Sequence, residues 1–286
     1  MYNCTFVADS GYSFYFGYEN GVLFDVDPLS ELDVNISTSQ GFLQVGDMVV
    51  AETVNGVSRE IKGVFVDYSD TTLPWKMIDV FAPGTHGNLY FNDEYYCECV
   101  VKKAPAIQLK NRKRTFSLML FSPYPYWISV TSEVYVIGLN YEAAFEFPVC
   151  YDEHTFGIRS EDTITTVTNS GNIDLQISIE FTSTVEVSYY GIIDVNTGDY
   201  LQINDTLETE AVVNAYWEKG SLRVQKTYGG ETTDILALLD EGSTLFSVSA
   251  GENEYQVYDS FGSGIDSYLI AKITMAYALS GVVADD

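Results

Sequence analysis

Lysine and arginine are scarce in this chain: 14 of them stand against 41 Asp and Glu in 286 residues, a formal net charge of −27. Nucleic-acid binding depends on cations that neutralise phosphates, and anionic membranes attract basic segments for the same reason. Neither is expected as a direct partner. Histidine is rarer still, with only His86 and His154, each in a polar loop, and no G-x-S-x-G occurs, so no signature of nucleophilic catalysis is present. The four cysteines, Cys4, Cys97, Cys99 and Cys150, are too few for a disulfide framework in a chain this long. Cys97 and Cys99 lie two apart on one strand and point to the same face; four buried free thiols made in a reducing cytosol are expected. Metal signatures keep tight His/Cys spacing, and none is found, so no metal and no cofactor are expected. No stretch reaches the ~18 apolar residues of a membrane span. The N-terminus lacks a basic region followed by an apolar run, so no signal peptide is expected. Long helical runs of Ala, Leu, Glu and Lys are missing too.

Aromatic residues fill the gap: 22 Tyr, 16 Phe and 3 Trp, types that suit a pleated, half-buried surface. The fold class is mainly β, and the length suffices for two domains with their own cores. Charge is unevenly spread. Up to Trp127 there are 9 basic and 15 acidic residues, and beyond it 5 and 26, giving −6 and −21. A nearly balanced first half suits protein contacts, and a strongly acidic second half suits a solvated periphery.

In the first half, Thr5–Asp27 alternates aromatics with small residues and reads as two short strands. Val34–Ile36 and Gly46–Val54 read as further strands. Asn55-Gly56 predicts a two-residue hairpin turn before the strand Arg59–Asp67, because type I′ turns need positive φ twice. Leu73–Ala82 predicts a three-turn helix, with Pro74 in the first turn, Trp75, Ile78 and Phe81 facing a sheet, and Pro83-Gly84 as the stop. Gly87–Phe91 and Tyr95–Lys102 form a hairpin around Asn92-Asp93. Arg114-Thr-Phe-Ser-Leu-Met-Leu-Phe-Ser-Pro-Tyr-Pro-Tyr-Trp127 is the most distinctive stretch. Phe116, Leu118 and Leu120 make one face apolar and Met119 and Phe121 the other, so the strand is expected to be buried on both sides. Pro123 and Pro125 must end its pairing.

Residues 131–144 read as a linker with one strand between domains at 1–130 and 145–286. Phe145-Glu-Phe-Pro148 opens the second half. From Thr163 about ten strands follow, punctuated by Gly, Asn and Asp turns such as Asn169-Ser-Gly-Asn172 and Asn196-Thr-Gly-Asp199, the pattern of a β-sandwich or jelly-roll.

The order of a strand closing on P-x-P-x-W (Pro123, Pro125, Trp127), a linker, and F-x-F-P (Phe145, Phe147, Pro148) resembles the distal tail proteins of long-tailed phages and prophages of Gram-positive bacteria. Ser249-Ala-Gly-Glu-Asn253 ahead of a terminal strand resembles their second domain, with Ala250 where the family pattern has proline. The resemblance implies an N-terminal β-barrel-like (split-barrel) domain with one short helix, which forms a ring and binds the tail tube, and a C-terminal galectin-like β-sandwich. It implies a non-enzymatic structural protein of the virion tail tip, made in the host cytoplasm. It also implies a hexameric ring that joins tail tube to tail tip or baseplate, with a tail-tube protein, a tail-tip or tail-associated protein, and baseplate or receptor-binding proteins as partners.

Other constellations in the chain carry recognisable chemistry. Acid pairs such as Glu180 and Glu186, or Asp240 and Glu241, could serve glycoside hydrolysis, but 41 acids produce such pairs by chance. Asp194–Asp199 lacks the closing glutamate of a calcium loop. Lys102-Lys103 and Lys110-Asn-Arg-Lys-Arg114 hold six of the basic residues. Lys110, Arg112, Lys113 and Arg114 fit an interface with an acidic neighbour, a nucleic-acid patch, or a solvated strand edge that blocks edge pairing. Tyr189, Tyr190, Tyr216 and Trp217 are candidates for stacking on sugar rings, the basis of an alternative function as a carbohydrate-binding module or host-adhesion accessory.

Overall fold

The computed structural model describes residues 2–40, 45–67, 69–138, 141–142, 158–159, 163–218 and 221–283; Phe145, Phe147 and Pro148 lie outside them. Two compact units emerge. The first comprises residues 1–131 together with 278–286, and the second residues 132–277. The chain therefore leaves the first unit after Thr131 and returns to it after Tyr277, a return that the sequence pattern did not reveal.

In the first unit, ten strands precede this exit: β1 (Cys4–Ala8), β2 (Ser13–Phe16), β3 (Val22–Asp27), β4 (Val34–Ser39), β5 (Met48–Val54), β6 (Val57–Phe65), β7 (His86–Phe91), β8 (Tyr95–Lys110), β9 (Lys113–Ser122) and β10 (Trp127–Ser129), with helix α1 (Thr72–Val80) between β6 and β7. An antiparallel sheet runs β2-β1-β7-β8-β9-β6-β3, with β10 on β8 and the returning strand Ala278–Leu279 on β10. Strict alternation builds its core: β1 buries Cys4, Phe6 and Ala8, and β9 buries Phe116, Leu118 and Leu120. The sheet rolls until its two edges face each other. Phe16 of β2 and Phe24 of β3 have ring centroids 5.5 Å apart, yet the two strands share no ladder. The result is an open, split barrel.

Helix α1 closes this core with a different face from the one its spacing suggested. Pro74, Met77 and Val80 are buried, while Trp75 is 65% and Ile78 42% exposed. Two apolar stripes compete on this short helix. The inner one wins because Phe81, just past the helix, packs on Phe6, Phe14 and Phe16 at 4.7, 5.9 and 5.7 Å.

The second face of β9 is only half-buried at Met119 and Phe121, short of the burial on both sides expected of it. Asn55-Gly56 is not a hairpin turn either: β5 pairs only with β4, whereas β6 pairs with β3 and β9. The glycine answers a packing need, since a Cβ at Gly56 would lie 2.6 Å from the Phe121 ring and 2.9 Å from the Ser122 carbonyl. By contrast, Asn92-Asp93 is a tight turn with both φ angles positive, at 50° and 57°.

The second unit is a two-sheet antiparallel sandwich. One sheet orders β11 (Glu133–Gly138), then Leu269–Met275, Ser178–Ser183, Val212–Glu218, Ser221–Tyr228 and Glu231–Asp234. The other orders Thr165–Asn169, Gly251–Asp259, Tyr190–Asp194 and Tyr200–Ile203. Their inner faces meet at Phe181 and Tyr190, 5.5 Å apart, as aligned sandwiches require. β11 is a strand within the 131–144 segment, where one strand was expected, and it pairs along its length with Leu269–Met275. The strands flanking Asn169-Ser-Gly-Asn172 do not pair with each other; they enter opposite sheets. Buried Asn169 forms that corner, donating to the carbonyls of Ile173 and Val248 and accepting from the Gly171 amide. Ala250 uses an amide that proline would lack, donating to the Asp174 carboxylate at 3.3 Å.

Candidate functional site

The basic run is carried by a long hairpin. β8 runs sixteen residues with register shifts on either side of Lys103, and β9 returns from a tight turn at Asn111-Arg112, with φ of 51° and 58°. Arg112 thus holds a left-handed conformation that non-glycine residues rarely adopt. Arg112 and Lys113 are exposed and make no ion pair among the described residues. Arg114 is different. It is half-buried, and its guanidinium donates to the carbonyl of Asp70, whose carboxylate accepts the Thr72 amide at the start of α1. The candidate set therefore divides: Arg114 ties the hairpin to α1, while Arg112 and Lys113 are free at the tip. The side chain of Lys110 lies outside the described residues.

The P-x-P-x-W motif is structural. Trp127 is fully buried, its indole N–H donates to the Leu29 carbonyl at 2.9 Å, and Phe91 meets it edge-on at 5.8 Å. Pro125 presents its carbonyl to Nη2 of Arg59 at 2.7 Å. Tyr124 and Tyr126 flank Pro125 in a T-shaped pair at 4.9 Å. Arg59 was not singled out from sequence, because its neighbours Ser58 and Glu60 make it look like an ordinary surface residue of a strand. It is 1% exposed, and its Nε and Nη1 have no hydrogen-bond partner among the described residues.

Nearby, Cys4, Cys97 and Cys99 are buried free thiols. A hydrogen bond from the Cys99 thiol, with the Arg59 charge adding to it, holds Cys97 below the ordinary thiol range; the same bond and burial push Cys99 up. Cys150 lies outside the described residues. Among those residues no cluster of three or more His, Cys, Asp or Glu could hold a metal ion, and no helix is long and apolar enough to cross a membrane.

The four sugar-stacking candidates are not brought together. Tyr190 is fully buried in the inter-sheet core, and burial pushes its phenol far up, so it offers no face to a ligand. Tyr189 precedes it and is 39% exposed. Tyr216 and Trp217 lie on the other sheet, bonded to Gln225 Oε1 and the Phe246 carbonyl at 3.0 and 3.2 Å. Adjacency along the sequence does not show that Tyr190 and the Tyr216-Trp217 pair occupy different sheets.

The acids show structural commitments. Glu60, Asp67, Glu208 and Asp240 are all held below the usual carboxylate range, chiefly by hydrogen bonds from Lys62, Ser69, Lys226 and Tyr200 respectively. A general acid needs the opposite shift. Asp194 accepts the amides of Asn196 and Thr197 at 2.8 and 3.1 Å, so the 194–199 segment is a self-capped turn.

One surface feature was invisible in the sequence. Every residue of β4 and β5 is exposed, so this two-stranded hairpin stands away from the barrel as an arm. An isolated hairpin is at best marginally stable in water, and this one carries exposed Val34, Ile36, Met48, Val49, Val50 and Val54.

No protein-family model matches the chain, and no curated protein does. Among solved structures, it is similar to the SPP1 Dit protein, described as a paradigm of the hub adsorption apparatus in Gram-positive infecting phages. The TM-score is 0.65 at 12% identity, over 96% of this chain and 99% of that one. A chain of the phage P2 baseplate in its activated conformation with Ca aligns with a TM-score of 0.49 at 11% identity, over 96% and 97%. The chain has the fold of the SPP1 Dit protein.

Proposed function

We propose that this chain is a distal tail protein of a siphovirus-type phage or prophage of a Gram-positive host. Its copies form a hexameric ring that joins the tail tube to the tail tip or baseplate, in a structural, non-enzymatic role within the virion. The observation that carries this reading is the shared fold with SPP1 Dit over nearly the whole of both chains. Fold alone does not specify function, and the surface chemistry adds to it. The first unit joins free Arg112 and Lys113 with exposed Trp75 and Ile78, and buried interface anchors draw on Trp and Arg. A charge of −27 per copy opposes random association, so assembly relies on specific contacts or on a partner.

The first unit supplies the ring and tube contacts. The sugar-binding alternative loses its intended platform, since Tyr190 is buried, Tyr216 and Trp217 lie on one strand, and Tyr189 lies in the bend before Tyr190–Asp194. The test is to mix the purified protein with a tail-tube protein from the same phage or prophage and image the product by negative stain. Rings at one end of each tube are expected. Bare tubes and free monomers would contradict the reading.

A further inference from the structure

The β4–β5 arm has two unlike faces. Residues opposite each other in an antiparallel pair share a face, and Val34 opposes Val54 while Ile36 opposes Glu52. With Val50, these make one face apolar, with a single carboxylate. The other face holds Asn35, Ser37, Ala51 and Thr53; past the register shift between Ser37 and Thr38, Thr38 opposes Val49 and Ser39 opposes Met48, so the contrast is sharpest between residues 34–37 and 51–54. Among the described residues nothing covers the apolar face: Ile36 is 57% and Val50 62% exposed.

Charge separates sharply between this arm and the long hairpin. Residues 28–58 carry Glu31, Asp33, Asp47 and Glu52 and no basic residue; residues 100–114 carry Lys102, Lys103, Lys110, Arg112, Lys113 and Arg114 and no acid. At the root of that hairpin, on the outer face of β3, β6, β9 and β8, lies an open groove of about 700 Å³. Leu23, Val64 and Ala106 give it apolar floor, and Lys62, Lys103 and Asp25 stand in its wall. Lys62 is partly matched by Glu60 at 2.8 Å, so the groove itself is nearly balanced and the uncompensated positive charge lies further out, along the hairpin.

We infer that the arm of one copy lies in this groove of the next copy, apolar face down, with its carboxylates along the neighbour's basic hairpin. The occupant is a second copy of this chain, because the two surfaces are complementary in charge and in apolar character and both belong to the first unit. A contact between two different patches is heterologous, and such contacts generate rings when the rotation closes. The inference rests on the proposed ring and names the contact that builds it.

Two variants test it. In the arm-reversed variant, Glu31, Asp33, Asp47 and Glu52 become Lys. In the hairpin-reversed variant, Lys103, Lys110, Arg112 and Lys113 become Glu. Each alone sets like charges across every arm–groove contact, so the concentration for half-assembly should rise by roughly tenfold or more. Mixed in equal amounts, each variant's arm meets the other's hairpin with opposite charge, and assembly should return in light scattering. Failure of the mixture to assemble, with both variants folded by circular dichroism, would overturn the inference.

A second measurement does not depend on those variants folding. A photo-crosslinking residue at Ile36, in a mixture of light and heavy isotope copies, should give intermolecular cross-links to the Leu23, Val64 and Ala106 region. Cross-links to the second unit or elsewhere would overturn the arm–groove contact while leaving a ring possible. Cross-links in the groove of a species that is not a closed ring would keep the contact and refute the ring. Absence of any intermolecular cross-link at assembling concentrations would also overturn the contact.

Discussion

The guanidinium carbon of Arg59 lies 4.9 Å from the centroid of the Trp127 ring, both side chains wholly inside the first unit. One donor of the guanidinium reaches Pro125, so the charge is held by the ring face and by the carbonyl that precedes it in the P-x-P-x-W motif. Desolvated cation–π contacts are worth up to ~2 kcal/mol, which offsets part of the burial cost of a cation with two unpaired donors. Trp127→Ala should cost roughly 3–5 kcal/mol through the cavity alone, and it also strips the charge of its cover. Arg59→Met retains volume and removes the unpaired donors, so its cost should be about 1–2 kcal/mol. Denaturant unfolding of both variants compares them; a greater loss for Arg59→Met would reverse the roles assigned here.

Cys4, Cys97 and Cys99 should resist an aqueous thiol reagent in the folded protein, because they are 0–3% exposed. Peptide mass spectrometry after brief labelling should find these three unmodified, and modified once denaturant is added. Labelling of Cys97 at the folded protein's surface rate would contradict the burial of β8's inner face.

Lys226 in the second unit binds Asp205 and Glu208, each at 2.9 Å. Its hydrogen bond holds the Glu208 carboxyl below its ordinary value. A depressed carboxylate contributes stability above its unfolded value and loses it as pH falls through the folded one. Lys226 itself is raised on balance: burial lowers it, but the bonds to Glu208 and Asp205 outweigh that. Its share persists below the unfolded lysine value and fades only as pH rises past the folded one. Lys226→Met should therefore cost roughly 1–3 kcal/mol at neutral pH and flatten the loss of stability on acidification below about pH 4. Thermal melts from pH 3 to 7 read both effects; an unchanged acid slope would discount the triad.

The basic hairpin should be tested without Arg114, whose contact with Asp70 supports the fold. Changing Lys110, Arg112 and Lys113 to Ser should leave thermal stability within ~1 kcal/mol and weaken assembly, more at low than at high salt because screening already blunts the wild-type contact. Equal assembly at both salt levels would assign the run to a solvated strand edge.

Alternation made most strands legible, because a period of two with apolar residues inside is written directly in stretches such as Phe116-x-Leu118-x-Leu120. Positive φ at Asn92 and Asp93 followed from residue type. Gly56 was misread because its need is tertiary: the Phe121 ring crosses over it, and no local signal records that. Helix α1 was misassigned in facing because both stripes are apolar and only Phe81's partners choose between them. The exposure of β4 and β5 escaped notice since Val, Ile and Met in a strand ordinarily signal burial. Burial of Arg59, and the placement of Tyr190 and Tyr216 on opposite sheets, depend on which strands pair across long sequence separation.

The central claim, that this chain builds a sixfold ring, is tested most directly by the mass and symmetry of its assembly. Multi-angle light scattering with negative-stain class averages, over a range of concentration and salt and with the tail-tube protein added, should give six copies around an open channel. A monomer under every one of these conditions, with no ring on the tubes, would contradict it.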